Sequence, residues 1–238
     1  MSAAVSPPSP STPSAPGWLH RALRHRSFVI GAVLSALLIL AALLSFVWTP
    51  WSPYEMNLAN KLASPSGTHW LGTDAFGRDV ASLLLVGARN SILVGVIAVG
   101  IGLTIGTALG LLAAAKRGWV EELIMRLADF TFAFPAILSA IMMTAVFGAG
   151  IVNSIIAIGI FNIPTFARVT RASANAVWSR EYILASRACG KGSWRITLEH
   201  VLPNILSVLI VQATIQFAIA ILAEAALSYL GLGTQPPQ

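Results

Sequence analysis

The sequence predicts an all-α membrane protein that crosses the bilayer several times, and two observations support this fold class. Only 10% of the 238 residues are charged, whereas 56% are hydrophobic. A soluble domain carries about a quarter charged residues, so this chain cannot cover a water-facing surface. The second observation is a set of long segments without Asp, Glu, Lys or Arg, at 27–54, 90–115, 130–167 and 201–223.

These uncharged segments predict the number of crossings. A helix rises about 1.5 Å per residue and needs about 20 apolar residues to cross the hydrocarbon core. Three of the segments fit one crossing each, and the first crossing is predicted at 27–48. Segment 130–167 is longer and is interrupted by GAGIVN at 148–153, which predicts a hairpin of two helices. The sequence therefore predicts five membrane helices.

The N-terminal residues 1–26 are rich in Pro, Ser and Ala and predict a disordered tail that ends in Arg21, Arg24 and Arg26. A cleaved signal peptide is the alternative. The apolar stretch that follows is longer than a signal core and lacks a clean cleavage site, which favours an uncleaved anchor. We expect an extracytoplasmic loop over 49–87 and a helical domain over 88–238.

The positive charges predict the orientation. Lys and Arg are enriched on the cytoplasmic side of membrane proteins. With a cytoplasmic N-terminus, twelve of the fifteen Lys and Arg residues face the cytoplasm, and only Lys61, Arg78 and Arg89 face outward. The stretch 168–200 is then cytoplasmic. Basic residues beside a membrane helix, such as Arg168 and Arg171, serve as topology anchors or as contacts to anionic lipid.

The charged stretch 168–200 is too long for a simple connection, because packed helices are usually joined by a few residues. Its pattern predicts one or two short helices. Small residues recur four apart at Ala185 and Cys189 and at Ser186 and Gly190, which predicts a face that another backbone can approach closely. A basic stripe is predicted beside it at Arg187, Lys191 and Arg195. Gly190 is expected to end the first helix, and Pro203 to begin the next.

Glycines, prolines and isolated charges in or beside the predicted membrane helices give further structural predictions. Gly102, Gly106 and Gly110 form consecutive G-x-x-x-G steps, which predict close helix packing within the subunit or contact with another subunit. Arg126 and Asp129 are three apart, and we expect a local ion pair between them. Pro135 and Pro164 are predicted to kink their helices, and helices broken in this way often border a transport path. Glu224 is expected at the outer interface, beyond the fifth crossing.

The sequence does not predict catalysis. Asp74 and Asp79 are five apart, which is the wrong spacing for paired carboxylates on one helical face. The four histidines are scattered without metal-ligand spacing. The segment ACGKGS lacks the first glycine and the final Ser or Thr of a phosphate loop, since Ala185 and Gly192 occupy those places. We expect no cofactor, no metal and no nucleic acid. An ion channel or ion-driven carrier, an intramembrane hydrolase and a scaffold remain as alternatives.

The charged stretch resembles the EAA loop of importer-type ABC transporter permeases, in which E-A-A is followed after three residues by G and after nine more by I-x-L-P. Two positions depart from the pattern, because Leu184 occupies the Glu position and His200 the Ile position. HWLGTDAFGRDVASLLLVGARNSI at 69–92 and the terminal AEAALSYLGLGTQPPQ resemble the DppC/OppC branch of these permeases. The matching EAA-loop positions are Ala185, Ser186, Gly190, Leu202 and Pro203.

The resemblance implies a non-catalytic permease subunit of a type I importer for di- or oligopeptides, located as a multi-pass protein in the cytoplasmic membrane. Its partners would be a homologous DppB/OppB-like permease, two cytoplasmic ABC ATPases that hydrolyse ATP, an extracytoplasmic peptide-binding protein and membrane lipid. Nickel or another small solute is the alternative cargo. The ATPase-coupling loop implied by the resemblance contains Glu181, Tyr182, Leu184, Ala185, Ser186, Arg187, Gly190 and Pro203.

The resemblance also implies a six-helix core, whereas the sequence predicts five helices. We therefore expect either that a sixth helix is missing after residue 238 or that the sequence is a piece of a longer chain.

Overall fold

The computed structural model describes residues 23–233, which form helices and no β-strand, so the predicted all-α class is confirmed. Most of the predicted tail lies in residues 1–22, outside the described part. The helices are α1 (Arg26–Val47), α2 (Val80–Lys116), α3 (Gly118–Ala133), α4 (Ala136–Phe147), α5 (Ile151–Trp178), α6 (Glu181–Ala188), α7 (Ser193–Ile196) and α8 (Leu202–Tyr229).

Four helical runs within residues 23–233 are long and apolar enough to cross a membrane, namely Arg26–Val47, Val80–Lys116, Ile151–Trp178 and Ser193–Tyr229. The pair α3 and α4 makes a fifth if it is counted as one span, although the two helices are bent by 83°. The bend occurs at Pro135, which has no N–H and forces the preceding Phe134 into an extended conformation. Pro164, by contrast, lies inside α5 without breaking it.

The long helices α2 and α5 form the centre of the bundle. Helix α8 packs against both of them, α3 and α4 pack mainly on α5, and α1 packs on α2. We call the end that holds residues 48–79, 148–150 and 230–233 the loop end, and the end that holds residues 179–201 the α6 end. The buried core joins α2, α5 and α8 through residues such as Val94, Phe166 and Leu209.

Three buried glycines set the distance between α2 and α5. Gly102, Gly106 and Gly110 all face α5. A Cβ on Gly106 would lie 2.5 Å from the carbonyl oxygen of Ile163, and one on Gly110 would lie 2.5 Å from that of Ala167. Real side chains do not tolerate such distances to backbone. The two helices therefore touch through their backbones, which is how small residues permit packing in lipid.

The loop between α1 and α2 is shorter than the predicted 49–87, because α2 already begins at Val80. The Asp79 side chain caps this helix by accepting hydrogen bonds from the N–H and the hydroxyl of Ser82, both at 2.8 Å. Its other oxygen lies 3.0 Å from Nδ1 of His69. The uncharged run at 90–115 could not predict that the helix begins at Val80, because the charged Arg89 lies inside the helix, in its third turn.

The hydrogen bonds of Asp79 change its acidity. Burial by itself raises the pKa of this carboxyl, but the backbone and hydroxyl donors of Ser82 and the contact with His69 outweigh burial. The pKa of Asp79 is therefore lowered from its ordinary value of 3.8. A lowered pKa stabilises the fold above the unfolded value, and this contribution is lost as the pH falls through the lower, folded value.

We expect Gly106→Ala to destabilise the chain by about 1–3 kcal/mol, because the new methyl group forces the backbones of α2 and α5 apart. The measurement is thermal unfolding of the purified protein in detergent. Gly100→Ala on the same helix is the control, since its Cβ meets nothing within 4 Å. Equal melting temperatures for the two variants would contradict the close contact.

We expect Asp79→Ala to cost about 0.5–2 kcal/mol at neutral pH through loss of the helix cap. The difference in melting temperature between wild type and variant should shrink as the pH is lowered below 3.8. Protonation of Asp79 then removes the carboxylate that caps the wild-type helix. Melting temperatures of both proteins across this pH range provide the measurement. A difference that stays constant down to strongly acid pH would contradict the lowered pKa.

Candidate functional site

The loop predicted at 168–200 is shorter in the structure, because α5 continues to Trp178. The rest of the charged stretch folds into α6, a tight turn, α7 and the start of a π-helical turn. Helix α6 ends at Ala188, and Gly190 follows with φ of +82°, the left-handed conformation that glycine adopts at little cost. The N–H of Gly190 bonds to the carbonyl of Arg187 at 2.9 Å, and the N–H of Lys191 bonds to that of Ser186 at 3.1 Å. This pair of bonds is the Schellman motif, which satisfies the last carbonyls of a helix. Gly190 therefore reverses the chain between α6 and α7.

The predicted basic stripe is wrong because the chain turns at Gly190. Arg187 lies on α6 and stacks over the ring of Trp178 at 4.8 Å. Lys191 and Arg195 lie beyond the turn, and both bind the carboxylate of Glu199, at 2.7 and 2.5 Å. Residues spaced by four share one face only when they belong to a single helix. These three basic residues are divided between α6, the turn and α7.

Helix α8 begins at Leu202 with Pro203 in its first turn, as the sequence predicted. Helix α7 continues through a π-helical turn, Thr197–Val201, directly into α8, so Pro203 also lies inside a continuous helical run. Pro203 cannot donate to the carbonyl four residues before it. The wider turn continues the helix, with the N–H of Leu202 bonded to the carbonyl of Thr197. A π-turn of this kind is frequent at functional sites.

Buried isoleucines attach the two short helices to the bundle. Ile183 of α6 and Ile196 of α7 are both 0% exposed and join the core together with Trp178 and Val201. The sequence pattern did not single out these residues. Local sequence could not have separated them from their neighbours, since the nearby Leu184 and Leu198 are equally apolar and yet exposed. The burial of the two isoleucines fixes the face that α6 turns towards the bundle and therefore the face that it leaves open.

The open face of α6 contains most of the residues named for the coupling loop. Leu184, at the position where the EAA pattern has Glu, is 57% exposed. Ser186 is half-buried and donates to the carbonyl of Tyr182 at 2.8 Å. Cys189, directly after the last residue of α6, is also exposed. The other exposed coupling-loop residues are Glu181, Tyr182, Ala185, Arg187 and Gly190, and, on α8, Pro203.

A cluster of polar side chains stabilises the turn that follows Gly190. The Glu199 carboxylate binds Lys191 and Arg195, and the ammonium of Lys191 also lies 3.2 Å from Nε2 of His200. The ring of Tyr182 meets His200 edge-on, at 6.2 Å between centroids. Helix α6, the turn after Gly190 and the π-turn are therefore linked to one another by side chains as well as by backbone. His200 replaces the Ile of the EAA pattern and contributes to this link.

Ion pairs between α3 and α5 lie near the same end. Arg168 binds Asp129, and Arg171 binds Glu121 with Nε to Oε1 at 2.5 Å. The expected local pair between Arg126 and Asp129 is wrong, because Asp129 binds Arg168 and the nearest acid to Arg126 is Glu122, at 3.6 Å. Arg168 and Arg171 are thus inter-helix contacts as well as flanking charges.

The arrangement at the α6 end offers a contact surface. Among residues 23–233, no three His, Cys, Asp or Glu side chains are grouped so that they could hold a metal ion. The exposed part of α6 combines apolar and small side chains with charges at its edges, on a base held by buried isoleucines. Through these isoleucines the surface is connected to the core that joins α2, α5 and α8.

Two family profiles match the sequence. Residues 106–238 match the inner membrane component of binding-protein-dependent transport systems, and residues 18–65 match the N-terminal TM domain of oligopeptide transport permease C. One match therefore lies in the N-terminal part of the chain and the other in the C-terminal part.

Several proteins are similar over most of their length. The dipeptide transport system permease protein DppC of Alkalihalophilus pseudofirmus is 42% identical over 90% of this chain and 70% of its own. The di/tripeptide permease DppC of Pseudomonas aeruginosa is 41% identical over 99% of this chain and 80% of its own. The glutathione transport system permease protein GsiD of Escherichia coli is 41% identical over 98% of this chain and 77% of its own.

A solved structure shares the fold. The MetNI methionine ABC transporter, in inward-facing conformations, aligns with a TM-score of 0.57 over 62% of this chain and 74% of its own, at 20% sequence identity. This likeness concerns the fold alone. The family profiles and the relatives confirm the resemblance seen in the sequence: the chain belongs to the inner membrane permeases of binding-protein-dependent transport systems, in their DppC/OppC-type ABC branch.

Proposed function

We propose that this multi-pass membrane protein is the permease subunit of an ATP-driven importer that carries di- or oligopeptides across the cytoplasmic membrane. The names of the relatives support the class of cargo, since they include dipeptide, di/tripeptide and glutathione permeases. The observation that carries the proposal is the exposed face of α6, seated by Ile183 and bounded by the turn at Gly190. The subunit itself performs no chemistry in this proposal.

Helix α6 is proposed as the coupling helix. An ABC ATPase would dock on the face that contains Leu184, Ala185 and Cys189, where small side chains permit close approach. Leu184 would contribute an apolar contact in place of the salt bridge that a Glu could make. Displacement of α6 would reach α5 through Trp178 and α8 through Ile196, because both are buried in the core.

The proposed partners follow from the two ends of the bundle. Two ATPases would meet α6 and the corresponding helix of a second, DppB/OppB-like permease on the cytoplasmic side. A peptide-binding protein would meet the loop end, where residues 48–79 form a hydrogen-bonded structure capped by Asp79. This orientation places the N-terminus in the cytoplasm, as the positive-inside bias favours. Closure of the ATPases would move the helices as rigid bodies between inward-open and outward-open states.

The natural cysteine provides the direct test of docking. Cys189 is the single cysteine of the chain, and it is exposed. When the protein is expressed with its partner subunits, a short bifunctional thiol–amine crosslinker attached to Cys189 should capture an ATPase subunit, identified by mass spectrometry. A membrane-impermeant maleimide added to whole cells should not label Cys189.

The control moves the cysteine to the opposite end, with Cys189→Ser combined with Gly67→Cys. Gly67 is exposed, and a side chain there meets nothing within 4 Å. This variant should react with the impermeant maleimide and should capture no ATPase. Labelling of Cys189 from outside the cell, or absence of any ATPase adduct from it, would contradict the proposal.

Gly190→Val should reduce peptide uptake strongly while leaving the amount of protein in the membrane unchanged. A left-handed residue with a side chain costs about 1–2 kcal/mol, and this energy corresponds to about a tenfold loss of the correct turn. Uptake of a labelled dipeptide into cells that lack other peptide importers is the measurement. Gly192→Val is the matched control, because Gly192 is equally open but has an ordinary φ of −68°. Similar uptake by the two variants would remove the role assigned to the turn.

A further inference from the structure

A buried carboxylate joins α2 and α8 near the loop end of the bundle. Glu224 lies within α8, which continues to Tyr229, and it is 4% exposed among the packed helices. Its Oε2 accepts a hydrogen bond from the hydroxyl of Ser91 on α2, at 3.1 Å, and its Oε1 accepts one from Ser228, a turn further along α8, at 2.8 Å. Ser91 and Glu224 are 133 positions apart. The contact therefore depends entirely on the tertiary fold.

An acidic side chain inside a membrane protein is expensive to bury and is rare without a role. Here each oxygen of the carboxylate receives a hydroxyl donor. Hydrogen bonds to an ionised group are roughly twice as strong as neutral ones, and a low dielectric strengthens them further. Separation of α2 from α8 would break the hydrogen bond that Ser91 donates from α2 to this buried carboxylate. This arrangement opposes separation of the two helices.

The surrounding contacts join the same helices. Phe217 of α8 lies so close to Gly95 of α2 that a Cβ on this glycine would be 2.7 Å from the Phe217 ring. Beyond α8, the carbonyl of Leu232 accepts from the N–H of Gly150 at 3.3 Å and from the hydroxyl of Ser154 at 3.4 Å, which connects the turn to α5. The loop end of α2, α5 and α8 is thus held by buried contacts.

The α6 end is held differently. The ion pairs Arg168–Asp129 and Lys191–Glu199 are exposed to a third or more of their side-chain surface. Exposed pairs of this kind contribute little stability. The polar contact at Glu224 is therefore buried, whereas these two ion pairs are exposed and the short helices beside the proposed ATPase site are held instead by the buried Ile183 and Ile196.

We propose that Glu224 is a positioning residue for transport, which holds α8 against α2 so that a displacement of α6 moves the two helices together. This proposal rests on the proposed function. Without the contact, a displacement of α6 would be absorbed by separation of α8 from α2 near the loop end. ATP hydrolysis would then continue without transport.

The first experiment compares Glu224→Ala and Ser91→Ala with the wild type in the complete assembly. Uptake of a labelled dipeptide is expected to fall at least several-fold in both, while co-isolation of the ATPases and ATP hydrolysis persist. Thr104→Ala is the control on α2, because its hydroxyl bonds only to carbonyls of its own helix, Gly100 and Ile101. If Glu224→Ala does not accumulate, Glu224→Gln replaces it, since the amide keeps the shape and weakens the acceptor.

The second experiment restores the connection covalently. Ser91→Cys and Glu224→Cys are combined with Cys189→Ser, and a short, membrane-permeant bis-methanethiosulfonate links the two thiols. Uptake should be low before linkage, should recover after it, and should fall again on reduction. A merely structural loss of stability would not follow this reversible pattern.

The outcomes separate the two proposals. If wild type transports peptide and Glu224→Ala transports equally well, the role of Glu224 is wrong while the proposed function stands. Complete linkage without recovery of uptake also contradicts the role of Glu224. If the wild-type chain neither co-isolates an ATPase nor supports uptake, the proposed function fails, and the inference about Glu224 fails with it.

Discussion

The close approach of α2 and α5 is the constraint on which the remaining structure depends. Gly106 and Gly110 let the backbone of α2 touch carbonyls of α5, and no larger residue fits between them. This contact places α5 along the centre of the bundle, where α3, α4 and α8 can pack against it. It also sets the position of Trp178, from which α6 continues the chain.

Polar contacts then give the two ends of the bundle different properties. At the loop end they are buried, as for the Glu224 carboxylate and the capping side chain of Asp79. At the α6 end they are mostly exposed ion pairs, with Glu199 at the centre of one cluster. Buried polar groups are costly to separate, whereas exposed pairs exchange readily with water.

Much of the fold was predictable because the lipid environment limits the choices. Uncharged runs of sufficient length have to be helices that satisfy their own backbone, and the all-α class followed from them. The G-x-x-x-G steps predicted close packing, and Gly190 predicted the end of α6, since glycine takes a left-handed turn at low cost. The family could also be recognised from short motifs in both halves of the chain.

The sequence by itself determined the class of protein, the membrane helices and the location of α6, because these depend on local composition and on spacing within one helix. Only the tertiary structure decided the partners of Glu224, Asp129 and Arg171, which lie on other helices far away in the chain. It also decided the open face of α6, because burial of Ile183 and Ile196 depends on the bundle beneath them. Spacing along one helix carries no information about a side chain on another, so these contacts appear only once the helices are packed.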